Sequence, residues 1–103
     1  MSRLPLIVFG ATGYTGKFVV RELAFLMKSK STLRWGVAGR SKEKLNQMLI
    51  DISKETNIDL VNKVELIIAD IIDEESIRKM CEKGQIIINC VGPVNFISKY
   101  KFK

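Results

Sequence analysis

Short apolar runs alternate along the chain with stretches in which apolar residues return every three or four positions. Leu4 to Phe9 reads as a buried strand. From about Thr15 to Met27, the residues Val19, Leu23, Leu26 and Met27 recur at i, i+4, i+7 and i+8, which places them on one face of a helix. Lys17, Arg21, Glu22 and Lys28 fall elsewhere on its surface. Leu33 to Ala38 reads as a second strand, closed by Gly39. Ser41 is a capping residue for a second helix, whose inner face is Leu45, Met48, Leu49 and Ile52.

A polar connection, Thr56 to Lys63, leads to a third strand, Val64 to Ala69. Asp73 reads as the next N-cap, with Glu74 and Glu75 in the first turn, where the helix dipole favours negative charge. Ile77, Met80 and Cys81 form that helix's inner face, and Gly84 ends it. Ile86 to Val91, nearly all apolar, is a fourth strand.

The order is therefore βαβαβαβ. Continuously apolar strands joined by amphipathic helices imply a parallel sheet covered on both faces. Right-handed crossovers then give an α/β, Rossmann-like doubly wound sheet with strand order 3-2-1-4. The sheet is incomplete: its fourth strand is apolar on both faces, as a central strand is, yet lies at an edge. Such an edge invites pairing with another chain, so self-association through Ile86 to Val91 is expected.

The seven residues after the first strand, GATGYTG, hold three glycines, Gly10, Gly13 and Gly16. A loop without side chains at the head of a helix lets a pyrophosphate approach closely, and the first helical N–H groups then face it. Thr12 and Thr15 add hydroxyl donors, and Gly16 lets the helix pack tightly on the sheet. The spacing is GxxGxxG, not GxGxxG, and the alternative is a tight turn with no ligand. The strand–turn–helix context at the first crossover favours a dinucleotide site.

The second strand ends in Val37-Ala38-Gly39-Arg40-Ser41, and no Asp or Glu occurs between Glu22 and Glu43. A carboxylate there would serve the ribose hydroxyls of NAD and repel a 2′-phosphate; a guanidinium pairs with that phosphate. Arg40 therefore points to NADP rather than NAD. Ser41 adds a hydroxyl or backbone N–H, and Lys44, one turn on, adds charge. Asp70, at the end of the third strand, either touches the adenine side or only bounds the strand. Asn89-Cys90-Val91-Gly92-Pro93 closes the fourth strand beside the switch point, where Gly92 lets backbone pass near the cofactor. With no base beside it, Cys90 reads as a small buried residue and not a nucleophile.

Composition narrows the alternatives. A length of 103 residues suits one small domain, and 47% hydrophobic with 27% charged residues is ordinary for a soluble globular protein. Seventeen basic and 11 acidic residues leave a net charge of +6, which favours anionic partners. Part of that excess comes from Lys99, Lys101 and Lys103, which alternate with Tyr100 and Phe102. No Arg-rich helix or zinc pattern supports a nucleic-acid partner. Histidine is absent, which removes Ser-His chemistry and His-ligated metals; Cys81 and Cys90 make no disulfide framework. No signal peptide opens the chain and no apolar run reaches the roughly 18 residues of a membrane span, so a soluble, intracellular, reducing compartment is expected.

Four blocks, IVFGATGYTG, VAGRSKEKL, the AD after the third strand and INCVGP, resemble in order and spacing the N-terminal part of the saccharopine dehydrogenase-like oxidoreductases, over Leu6 to Pro93. The resemblance implies an NAD(P)-dependent oxidoreductase with a Rossmann domain and a larger second domain. It also implies association with the cytoplasm, lipid droplets or mitochondrial membranes, and with lipid metabolism. By position it makes Gly10, Thr12, Gly13, Tyr14, Thr15 and Gly16 the phosphate loop, and Arg40 and Ser41 the 2′-phosphate site. Asn89, Val91, Gly92 and Pro93 would line the nicotinamide side.

Pro93 and Phe96 still fit the family's next loop; Val94 and Asn95 do not, and the match is lost in ISKYKFK. Residues 1–93 are thus expected to form the dinucleotide-binding part and 94–103 a divergent tail. The expected function is the NADP-binding portion of such an oxidoreductase, not catalytic by itself and without a nameable catalytic residue. The alternatives are a non-catalytic binding or interaction module and a truncated, non-functional product.

Overall fold

The computed structural model describes residues 3–30 and 32–91. Gly92, Pro93 and the tail 94–103 lie outside the described residues, so the boundary expected at residue 93 does too.

The elements run β1 (Leu4–Phe9), α1 (Tyr14–Ser29), β2 (Trp35–Gly39), α2 (Lys42–Thr56), β3 (Glu65–Ile68), α3 (Glu74–Lys83) and β4 (Gly84–Asn89). The four strands form one parallel sheet in the order β3-β2-β1-β4, the expected doubly wound topology. Strand order reverses between β1 and β4, so α1 and α2 cover one face and α3 the other.

Alternation along the strands divides the core. Val8, Trp35 and Val37 pack with Val20, Leu45 and Leu49 under α1 and α2. Ile7, Phe9, Ala38, Ile67 and Ile87 pack with Ile77 and Met80 under α3. A bidentate pair, Arg21 Nε and Nη2 to Glu55 at 2.8 and 3.2 Å, ties α1 to α2 at the surface. Exposed pairs of this kind contribute at most about 1 kcal/mol.

β3 is one residue shorter at each end than its apolar run, and three other local readings shift further, each for a physical reason. The inner face of α1 is Gly16, Val20, Leu23, Ala24 and Met27; Val19 is only half-buried and Leu26 is 44% exposed. Gly16 sets this rotation, because its close approach to the loop turns residues 20, 23, 24 and 27 toward the sheet. β2 starts two residues later than the apolar run, because the Leu33 N–H donates back to the Lys30 carbonyl in a turn.

β4 starts two residues earlier than its apolar run. Gly84 closes α3 with an N–H to the Met80 carbonyl while its own backbone is already extended and pairs with Leu4. The strand ends at Asn89, whose Oδ1 takes the Val91 N–H at 3.0 Å. β4 is an edge strand, and Ile86 is 49% exposed.

Candidate functional site

The carboxyl ends of all four strands open into a cavity of about 390 Å³. Its walls include Gly10, Thr12 and Gly13 from the loop after β1, Arg40 after β2, Asp70 and Ile71 after β3, and Val91 after β4. This is the crevice at the topological switch point, where open α/β sheets take ligands.

The loop is built by backbone constraints. Gly10 has φ +82°, a conformation that disfavours any side chain. A Cβ there would lie 2.7 Å from Val91 Cγ2. The N–H groups of Gly10 and Ala11 both donate to the Ala38 carbonyl, at 2.9 and 3.3 Å, which pins the loop to β2. Gly16 is buried beneath the loop, and a Cβ on it would sit 2.2 Å from the Gly10 carbonyl oxygen. Gly13 differs: its φ is −76°, and an added Cβ would meet only the Gly10 oxygen, at 3.5 Å. The fold requires glycine at 10 and 16; at 13 a side chain would fit.

Gly13 is also the N-cap of α1 and gives that helix no side-chain cap. Among the described residues, the N–H groups of Tyr14, Thr15 and Gly16 donate to no acceptor. α1 has no acidic residue in its first turn to occupy its positive end. These free donors beside the cavity fit the phosphates of a dinucleotide.

The cationic side is equally open. Arg40 is exposed at the end of β2 and makes no ion pair among the described residues. Ser41 caps α2, its Oγ accepting the Lys44 N–H at 3.2 Å, which leaves the hydroxyl hydrogen free to donate outward. Lys44 does not line the main cavity; it lines a neighbouring one.

Asp70 bounds the strand, the second of its two expected roles, and stands in the cavity wall as well. Its Oδ1 takes the Ile72 N–H at 3.2 Å and its backbone N–H donates to Ser76 Oγ at 3.0 Å. Asn89 is absent from the cavity wall; its Oδ1 is spent on Val91, and its Nδ2 is buried without a partner. Tyr14 is 95% exposed, beside the loop and not in the cavity. Thr15 is exposed in the first turn of α1.

Cys90, expected as a small buried residue, is half-buried and lines the cavity. Burial pushes its thiol pKa up, which keeps it protonated and unsuited to nucleophilic attack. Phe9, Gly39 and Ala69 also line the cavity and escaped notice in the sequence. Each stands at or next to the carboxyl end of a parallel strand, the signal that would have found them. Among the described residues no cluster of three or more His, Cys, Asp or Glu side chains can hold a metal. None of their helices is long and apolar enough to cross a membrane.

With this geometry in view, the relatives of the chain are informative. It is 43% identical over 95 residues to the saccharopine dehydrogenase-like oxidoreductase of Rattus norvegicus, covering 88% of this chain and 22% of that protein. It is 41% identical over 93 residues to a lipid droplet localized protein of Caenorhabditis elegans, covering 90% of this chain and 21% of that one. The chain thus spans about a fifth of the length of the curated relatives it matches. Among solved structures, L-sorbose reductase from Gluconobacter frateurii, complexed with NADPH and L-sorbose, superposes with a TM-score of 0.61 at 14% identity, over 90% of this chain and 35% of that one. At that identity the likeness establishes the shared fold. The family model described as saccharopine dehydrogenase NADP binding domain matches residues 6–101, nearly the whole chain, and the chain belongs to that family.

Proposed function

We propose that residues 1–93 bind NADP as the cofactor portion of a saccharopine dehydrogenase-like oxidoreductase and do not carry out turnover by themselves. The observation that carries this reading is the uncapped start of α1, with free N–H groups at Tyr14, Thr15 and Gly16 beside a switch-point cavity. Those groups, with the Thr12 hydroxyl, would hold the pyrophosphate. Arg40, the Ser41 hydroxyl and Lys44 would hold the 2′-phosphate, with no Asp or Glu among the residues that end β2, Val37 to Ser41. Asp70 would face the adenine side, and Val91, Gly92 and Pro93, with Asn89 holding Val91, the nicotinamide side. NADP supplies the hydride chemistry when bound; this chain's residues bind and orient it. Among the described wall residues the titratable groups are Arg40, Asp70 and Cys90, and a thiol raised by burial is a poor acid–base group.

The test is titration of the chain with NADPH and NADH. NADPH binds more tightly, and Arg40→Ala lowers its affinity about tenfold or more while leaving NADH unchanged, the loss expected for a charge-assisted hydrogen bond. A folded protein that binds neither dinucleotide, or an Arg40→Ala protein that keeps its preference, overturns the reading.

The worm relative's name supports a place at the lipid droplet for the whole protein and a link to lipid metabolism. The exposed edge of β4, with Ile86 at 49%, favours a second role as an interaction surface that pairs with another copy or a longer relative. A monodisperse monomer at high concentration in size-exclusion chromatography would exclude the self-pairing.

A further inference from the structure

A second, polar cleft of about 370 Å³ lies between α1 and α2, lined by Thr12, Lys17, Lys44, Gln47, Met48 and Asp51. Thr12 also lines the main cavity, so the two spaces meet at the phosphate loop. Lys17 comes from the first turn of α1 and Lys44 from the first turn of α2. The burial of Gly16 against the loop turns the next residue, Lys17, toward α2. Arg21, one turn later on the same side, reaches α2 at Glu55.

Arg21 has a carboxylate partner; Lys17 and Lys44 form no ion pair among the described residues. Asp51, the carboxylate of the cleft, has Oδ1 engaged by Gln47 Nε2 at 3.0 Å. Two ammonium groups thus share one polar cleft, and the unpaired Arg40 lines the adjoining cavity. The Asp51 carboxylate lies in the same cleft but forms no ion pair with either ammonium group among the described residues, so the three cations stay available to a doubly charged anion at their junction.

We infer that Lys17 is a specificity-determining residue for a ribose 2′-phosphate, completing with Arg40 and Lys44 a three-cation seat where the two cavities meet at Thr12. This rests on the NADP reading above and adds to it a residue from α1, an element otherwise given to the pyrophosphate. A free 2′-hydroxyl gains little from an ammonium group, so Lys17 acts on NADP and not on NAD. The side chain is exposed, so its contribution is partly screened and falls with salt.

The experiment measures affinities of the 103-residue chain for NADPH and NADH, and for 2′-AMP and 5′-AMP as smaller probes, at low and high salt. Lys17→Met weakens NADPH and 2′-AMP about threefold to tenfold at low salt, leaves NADH and 5′-AMP unchanged, and flattens the salt dependence of NADPH binding. Lys17→Arg keeps most of the preference, which separates the charge from a structural role. Thermal melts confirm that each variant folds. If Lys17→Met leaves the NADPH-to-NADH ratio intact while Arg40→Ala collapses it, the inference fails and the NADP reading stands. Equal weakening of both dinucleotides assigns Lys17 to the pyrophosphate and overturns the inference as well. A wild-type chain with no preference, unaltered by Arg40→Ala, overturns both.

Discussion

The first turn of α1 and the first turns of α2 and α3 face the same problem: backbone N–H groups with no acceptor inside the helix. α2 and α3 solve it locally. Ser41 Oγ takes the Lys44 N–H, Asp73 Oδ1 takes the Ser76 N–H, and acidic residues occupy the first turns of both helices. α1 has a glycine at its cap, no acid in its first turn, and a cavity in front of it. A helix that only had to end well would look like the other two. The difference separates two kinds of helix terminus: in α2 and α3 it is closed by a side chain, and in α1 it stays open beside the cavity, as the proposed phosphate site requires.

Substitutions can break that comparison or sharpen it. The largest effect is expected from Gly16→Ala. Its Cβ would fall 2.2 Å from the Gly10 oxygen and 2.7 Å from Ala11 Cα, both backbone atoms that cannot swing aside. Overpacking of this kind costs about 3 kcal/mol, measured as a lower midpoint in urea unfolding. A variant as stable as wild type would show that the loop is not packed against α1.

Gly13→Asp tests the open terminus more directly. The backbone at this position suits an N-cap, and the carboxylate would meet free N–H groups and the helix dipole. The chain without ligand should gain about 0.5 kcal/mol in unfolding experiments, while NADPH affinity falls at least about tenfold, because a carboxylate would occupy the phosphate position. Gain of stability with unchanged NADPH binding would return the loop to a simple turn.

Asp73→Ala is the reference for an ordinary cap. It should cost about 1 kcal/mol of stability and leave NADPH affinity unchanged. A clear loss of binding here would mean that the start of α3 also serves the ligand.

Much of this was legible in the sequence, and the parts that were not share a cause. β1 read correctly to the residue, because a continuous apolar run between Pro5 and Gly10 has one good solution. The caps Ser41 and Asp73 were legible because capping is a local side-chain interaction. Topology followed from the alternation of elements and the handedness of crossovers. The rotation of α1 was not legible, since Val19 and Leu26 are as apolar as the buried Val20 and Ala24. Only the contact of Gly16 with the loop, a tertiary fact, decides between the two faces.

The site divides in the same way. Gly10, Thr12, Gly13 and Arg40 could be placed at the cavity from the sequence because residue type and chain position single them out. Phe9, Ala69 and Cys90 were missed as wall residues because they are ordinary core residue types that happen to end strands. The removal of Asn89 from the wall follows from a hydrogen bond that terminates β4, which no pattern of residue types encodes.

Trp35 is the chain's one tryptophan, 1% exposed in the core beneath α1 and α2. It begins β2, the strand that ends at Gly39 beside Arg40, so about 13 Å of extended backbone separates it from the cavity wall. All indole fluorescence therefore originates from one fixed place. Its colour registers whether the larger core is intact, because water reaches the ring only on unfolding. Reduced nicotinamide absorbs where indole emits, so a bound NADPH would quench the same signal by energy transfer. The molecule carries a single optical probe that reports packing by wavelength and occupancy by intensity.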